Sequence, residues 1–210
     1  MEQITDRMQV LGDLVRGVMV ADLGCVDARP GKERSTGRVA RKPNSLHREL
    51  LTINPDILGI DIDAEGVDAL AGQGFRVLCA DAEVMDLGTR FDVIVAGELI
   101  EHLENPGRFL RNLRRHLTRG GQLALTTPNP FYAGQRYKIW RHGRPSVHED
   151  HTCWFDPKTL HQLLERTGYR VTQRFWIQPR RSLLKTWPAK FRPYFAHSFL
   201  IVATPAAQSE

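Results

Sequence analysis

No stretch of this sequence approaches the roughly 18 consecutive apolar residues of a membrane-spanning helix. Cysteine is scarce: Cys25, Cys79 and Cys153 lie far apart, with no CxxC pair among them. That spacing excludes a disulfide framework and a cysteine zinc site, and the three thiols are expected in or near the core of a protein kept in a reducing cytoplasm. Internal repeats and low-complexity segments are also missing, which removes solenoids and disordered arrays. So is the GxGxxG turn of nicotinamide-dependent Rossmann enzymes. The opening residues MEQITDRMQVLGDLVRG are charged and amphipathic and do not read as a secretory signal. What is present is a chain of 210 residues, 41% hydrophobic and 25% charged, the length and composition of one soluble globular domain with a proper core.

The net charge of +5 is unevenly spread. Residues 131–195 hold 13 Lys and Arg against 4 Asp and Glu, whereas the rest of the chain is net acidic. Two readings stand: a surface for an anionic substrate, or a solvated basic face.

Four apolar runs end in an acid or a glycine. They are Val18–Gly24 with Asp22, Gly59–Asp63 with Asp61, Val77–Ala82 with Asp81, and Phe91–Glu98 with Gly97 and Glu98. Apolar residues Ile4, Met8, Leu11, Leu14 and Val15 recur at helical spacing, so residues 1–17 are expected to form an N-terminal helix. Residues 26–45 read as a long polar loop, after which Asn44 or Ser45 caps a short helix to about Thr52. Strands are expected at 57–61, 75–79, 92–96, 122–127, 169–177 and 198–204. Helices are expected at about 64–72, 98–103 and 106–117, the last stopping at Gly120-Gly121, and from Asp156-Pro157 to Thr167. Residues 129–153 read as an irregular aromatic and basic insert. This alternation predicts an α/β fold with a mostly parallel sheet covered by helices on both faces.

The order of acid-ended strands, together with the run FDVIVAGELIEHLENPGRFLRNLRRHLTRGGQLALTTPNP from Phe91 to Pro130, resembles the class I S-adenosylmethionine-dependent methyltransferases. Within these it resembles the subgroup that methylates small molecules and polysaccharide sugars, similar to type 11 and type 23 methyltransferase domains. The resemblance implies a Rossmann-like sheet of seven strands with the last one antiparallel. It also implies a single domain of 1–210: a core at 18–128, a substrate insert or lid at 129–155, and a C-terminal part at 156–204 with its own insert at 178–195.

The same resemblance implies S-adenosyl-L-methionine as cofactor, with Asp22, Gly24, Asp61, Ile62, Asp81, Ala82, Gly97 and Glu98 around it. Asp61 is expected on the ribose hydroxyls, since a carboxylate offers two accepting oxygens. Ile62 is expected on the adenine face, Asp81 and Ala82 at its amino edge, and Gly24 and Gly97 beside the amino-acid end. A helix cap or a loop ion pair is the ordinary alternative for each acid. The sequence departs from the family in one place. Asp22-Leu23-Gly24-Cys25-Val26-Asp27-Ala28 keeps only the first of three glycines, and a β-branched Val26 disfavours a left-handed backbone. Arg29, Lys32, Arg34, Arg38, Arg41 and Lys42 could supply charge there instead. A non-catalytic relative with a degenerate turn is therefore the alternative function.

Methyl transfer needs positioning above all, and an oxygen acceptor gains from a base. His151, next to Trp154 and Phe155, is the expected general base, with His102 and Glu101 as further catalytic candidates. Asn129, Tyr132, Tyr137, Trp140, Arg141, His148 and Trp154 are the expected substrate contacts; lid packing is the alternative for the aromatic residues. His148 and His151 are three apart, but no helix is expected there to align them, so no metal is assigned. The basic and aromatic segment 179–195 suits a peripheral membrane contact, a lid or a dimer contact. The expected acceptor is a small molecule or sugar, anionic on the first reading of the basic region, and the expected reaction O-methylation. No nucleic-acid partner is expected, because no RNA-binding domain is evident; Asn129-Pro130-Phe131-Tyr132 follows the fifth strand, whereas the amino-methylating motif it resembles ends the fourth.

Overall fold

A strand covered on both faces must be apolar on both, and Val93-Ile94-Val95-Ala96 is buried throughout. It sits in Phe91–Gly97, near the middle of one eight-stranded sheet. The computed structural model describes residues 1–26, 45–179 and 192–207. In chain order the elements are β1 Glu2–Ile4, α1 Met8–Leu14, β2 Val20–Leu23, α2 Leu46–Leu51, β3 Leu58–Asp61, α3 Ala64–Ala71, β4 Val77–Cys79, β5 Phe91–Gly97, α4 Pro106–Arg115, β6 Leu117–Pro128, α5 Ala133–His142, α6 Pro157–Arg166, β7 Tyr169–Ile177 and β8 Ser198–Pro205. Short 3₁₀ turns at Ile100–His102 and Pro193–Phe195 complete them. The sheet order is β1-β7-β8-β6-β5-β2-β3-β4. β8 runs antiparallel to both β6 and β7, and every other pairing is parallel.

The period-2 alternation of the central strands divides the core. Ile94 and Ala96 face Phe109, Leu110 and Leu113 of α4 and Leu160 and Leu164 of α6. Val93 and Val95 face Leu11 and Val15 around α1 and Leu50 of α2. The ends of α6 follow their sequence signals: Asp156 accepts from the backbone N–H of Lys158 and Thr159, and Pro157 fills the first helical position.

Four local expectations are corrected. The sheet has eight strands, because Glu2–Ile4 adds an edge strand parallel to β7, with Glu2 opposite Phe175 and Ile4 opposite Ile177. Three residues are too few to show a strand period, and Ile4 lies four before Met8, so it imitates a helical position; the helix itself is only Met8–Leu14. Gly120-Gly121 does not stop α4, which ends at Arg115. The two glycines lie inside β6, whose pairing with β5 shifts register between Phe91 and Val93. Residues 98–103 form a 3₁₀ turn at Ile100–His102 rather than a longer helix. The insert contains a helix, α5, that buries none of its residues and therefore carries no apolar stripe for the sequence to reveal.

The cysteines are free, and Cys79 is exposed rather than near the core. No helix among the described residues is long and apolar enough to cross a membrane. The basic residues of 29–42 and most of segment 179–195 lie outside the described residues.

The valine in the glycine turn is accommodated by a glycine elsewhere. Val26 is buried, and a Cβ on Gly66 of α3 would meet its Cγ1 at 2.2 Å. Among the described residues of this turn only Gly24 takes a left-handed backbone, at φ +78; Val26 does not, so the expected strain is absent there. Gly66→Ala should destabilise the fold by about 1–2 kcal/mol, overpacking outweighing a helix-propensity gain of up to ~1 kcal/mol. Thermal denaturation checks this: Gly66→Ala should melt lower by roughly 2–4 °C per kcal/mol, and adding Val26→Ala should restore most of the loss.

Candidate active site

Parallel strands bring their carboxyl ends to one edge, and that edge gathers most of the expected site residues. Gly24 turns the chain just after β2, and its N–H donates to the Ile60 carbonyl at 2.8 Å. Asp61, the last residue of β3, accepts from the N–H of Val26 at 3.0 Å through Oδ2 and from that of Asp63 at 3.0 Å through Oδ1. Burial raises the Asp61 pKa, and these two backbone donors counter the rise. Each carboxylate oxygen keeps a further lone pair. Ile62 beside it is 69% exposed, unusual for a large aliphatic side chain at the end of a buried strand. Past β4, Asp81 is exposed and accepts from the Glu83 N–H at 2.8 Å, while the Ala82 carbonyl accepts from Asn112 at 3.1 Å.

At the end of β5, Gly97 has no room for a side chain, since a Cβ would lie 2.4 Å from Leu46 of α2. Glu98 follows with φ +52, the one non-glycine among the described residues in the left-handed region. Such a backbone costs of order 1–3 kcal/mol and collects at functional sites.

Asp22 is placed differently from the expectation. It lies within β2 rather than past its end, is 2% exposed, and holds His47 Nδ1 at 2.9 Å. His47 is buried too, and its Nε2 has no hydrogen-bond partner. His47 carries no signal of this role in its local sequence, because its partner is brought to it only by packing α2 over β2.

A second cluster lies on the β5–β6 side. Glu101 is 1% exposed; its Oε2 accepts from Thr127 Oγ1 at 3.0 Å and its Oε1 has no partner. Burial, with the nearby Glu98 charge adding, pushes its pKa up to about 8. Glu101, Thr127, His151, Cys153 and Trp154 line a cavity of about 60 Å³. Pro130 and Trp154 also border a wider one of about 540 Å³, walled by Phe131, Ile139 and Trp140 with Arg136 and Asp156. Trp140 is 79% exposed. Burial lowers the pKa of His102 and His151, and neighbouring histidines lower it further.

The expected substrate residues divide. Trp140 and Trp154 line the wider cavity, whereas Tyr132, Tyr137 and Arg141 do not. Tyr132 instead packs edge-on to His197, with ring centroids 5.0 Å apart. Asn129 lines the narrow cavity, and its side chain is held by the fold: its amide donates to the carbonyls of Tyr194 and Ala196, both at 2.8 Å, and its oxygen accepts from the Phe131 N–H at 3.0 Å.

A family model described as a methyltransferase domain matches residues 44–174, more than half of the chain. The chain belongs to this methyltransferase family. Among curated proteins, the ubiquinone biosynthesis O-methyltransferase of Nitrobacter winogradskyi is 31% identical over 83 residues, 37% of this chain and 32% of that protein. The one of Coxiella burnetii is 29% identical over 169 residues, covering 75% of this chain. The methyltransferase thus spans about a third and 65% of the lengths of these two relatives. Among solved structures, magnesium protoporphyrin IX methyltransferase from Synechocystis, with bound S-adenosylhomocysteine, superposes at a TM-score of 0.60 with 14% identity, over 94% of this chain and 81% of that one. A SAM-dependent methyltransferase from Archaeoglobus fulgidus gives 0.61 with 17% identity, over 94% and 90%. The fold of this methyltransferase is that of S-adenosylmethionine-dependent enzymes.

The Asp22–His47 contact is a buried interaction whose removal should be felt globally. His47→Leu should lower stability by about 1–3 kcal/mol, the loss of one hydrogen bond to a buried carboxylate. Chemical denaturation of the two proteins measures the difference.

Proposed function

We propose that this protein is an O-methyltransferase that uses S-adenosylmethionine to methylate a hydroxyl on a small, ring-bearing acceptor. The observation that carries the reading is the pair of adjoining cavities beside the β5–β6 edge. The wide one, with Phe131, Ile139, Trp140 and Trp154, suits a flat apolar body, and Arg136 suits an anionic substituent on it. The narrow one, of about 60 Å³, is large enough to admit the hydroxyl-bearing edge of such a ring. The curated relatives named as ubiquinone biosynthesis O-methyltransferases support a small-molecule hydroxyl acceptor over a sugar.

The donor set at the β2–β3–β5 edge fits the cofactor. The free lone pairs of Asp61 can accept both ribose hydroxyls, and exposed Ile62 can cover the adenine face. Asp81 and Ala82 stand where the adenine edge would lie, and Gly24, Gly97 and Glu98 where the amino-acid end would. When bound, S-adenosylmethionine supplies a methyl group on a positively charged sulfur. The residues of the chain then supply position and proton handling. The aromatic walls hold the acceptor ring so that its hydroxyl enters the narrow cavity. Glu101, the one carboxylate lining that cavity among the described residues, takes the hydroxyl proton on its unpartnered oxygen when it is ionised, which its raised pKa of about 8 places at mildly alkaline pH. His151 in the same wall orients the acceptor, with His102 behind it. This assigns proton removal to Glu101 in preference to His151, because the carboxylate is the more deeply buried of the two.

Calorimetry with S-adenosylhomocysteine tests the cofactor half. Asp61→Ala should weaken binding roughly 10- to 100-fold, the loss of one or two hydrogen bonds to a charged acceptor. An unchanged affinity removes Asp61 from the site. The acceptor half is tested by turnover with catechols and hydroxybenzoates. Glu101→Gln should lower kcat about 10²- to 10⁴-fold while leaving S-adenosylhomocysteine affinity as it was; undiminished turnover would exclude Glu101 as the base.

A further inference from the structure

Three imidazoles converge beside the narrow cavity, whose wall includes one of them, His151. His102 comes from the 3₁₀ turn after β5, and His148 and His151 come from the chain between α5 and α6. One ring nitrogen of each lies within 4.8 Å of the others. The ring centroids are 4.6 Å apart for His102 and His151, 5.4 Å for His148 and His151, and 5.8 Å for His102 and His148. His102 meets the other two edge-on, at 88° and 77°, and the planes of His148 and His151 are tilted by 32°.

We propose that His102, His148 and His151 bind a divalent zinc-class ion. Three imidazole nitrogens with a fourth position left open form the ligand set of a reactive zinc site rather than of a closed structural one. Softer thiolates and a carboxylate cage are absent from the cluster, which disfavours copper(I), calcium and magnesium.

The surroundings are built as they would be for such a site. His102 Nδ1 lies 3.2 Å from the Asp150 carbonyl, which can only accept. Nδ1 therefore carries the proton and Nε2 keeps its lone pair for an ion. The Asp150 carboxylate stands 3.3 Å from His148 Nδ1, which also accepts from the Asp150 N–H at 3.4 Å, so the carboxylate lies where it would balance the charge of an ion. The two contributing segments are clamped together. The N–H groups of Thr152 and Cys153 donate to the Glu101 carbonyl at 2.9 and 3.3 Å, and the Thr152 hydroxyl bonds the Glu101 and Leu103 carbonyls. Their relative position is thus fixed by bonds that do not involve the imidazoles. His151 belongs to both the trio and the wall of the Glu101 cavity, so an ion held there borders the space proposed for the acceptor hydroxyl. The site itself stands on its own geometry and not on the identity of the acceptor.

The sequence expectation of no metal rested on His148 and His151 alone, judged by helical spacing. The third ligand comes from a different element, so that criterion did not apply.

The test is a zinc titration of the full chain, stripped with a chelator, in competition with a chromophoric zinc indicator. The expected result is one zinc ion per chain. His148→Gln and His151→Gln should each lower affinity by at least the roughly 10- to 100-fold that loss of an outer-sphere partner produces. His148 is exposed, so its substitution does not endanger folding. Cys79→Ser, which removes the exposed thiol, should bind zinc as the parent does. No retained zinc, equal affinity in His148→Gln, or loss in Cys79→Ser would each overturn the site. S-adenosylhomocysteine binding measured on the same samples separates this outcome from failure of the methyltransferase reading: binding of that compound without zinc overturns the metal site alone.

Discussion

The carboxylate of Asp61 ties together two turns that the strand edge depends on. One oxygen holds the Val26 N–H at the exit from β2, and the other holds the Asp63 N–H at the entrance to α3. Gly24, bonded to Ile60, makes the first of these turns possible at φ +78. With these bonds in place the ends of β2 and β3 stand side by side, Ile62 is left exposed, and Val26 is directed inward onto Gly66. The same carboxylate that builds the edge retains lone pairs for a ligand. In the proposed function, structure and recognition there draw on this one group.

A different constraint governs the opposite side of the edge. Glu101 is buried with one oxygen satisfied by Thr127 and the other unpartnered, and its backbone carbonyl anchors the segment that carries His151. A buried carboxyl with a raised pKa is costly unless it does something for the protein, and cavities lined by such groups are where chemistry is usually found. The strained Glu98 backbone between the two halves fits the same pattern.

Most of the fold was legible because the central strands are largely apolar runs and α2 and α6 begin at side-chain caps, Ser45 and Asp156. Val93–Ala96 announces a buried parallel strand, and Asp156-Pro157 announces the start of α6. The failures share a physical cause, which is that the deciding interaction is not local. Glu2–Ile4 becomes a strand only because β7 offers it an edge. Gly120-Gly121 reads as a helix stop until β6 pairs across it. Helix α5 buries nothing and so has no pattern. The place of Asp61 and Ile62 at the end of β3 was legible in the sequence. The role of Asn129 was not, because its carbonyl partners lie at Tyr194 and Ala196. Neither was the pairing of Asp22 with His47, or the meeting of His102 with His148 and His151. Each joins segments that only tertiary packing brings together.

The central claim is that the β2–β3–β5 edge, with a valine in its turn, is an intact cofactor site. A crystal structure of the full chain with S-adenosylhomocysteine tests it most directly. The account predicts the ribose on Asp61 and the adenine over Ile62, with Val26 still seated against Gly66. Density for the ligand elsewhere, or no density at saturating concentration, would contradict it.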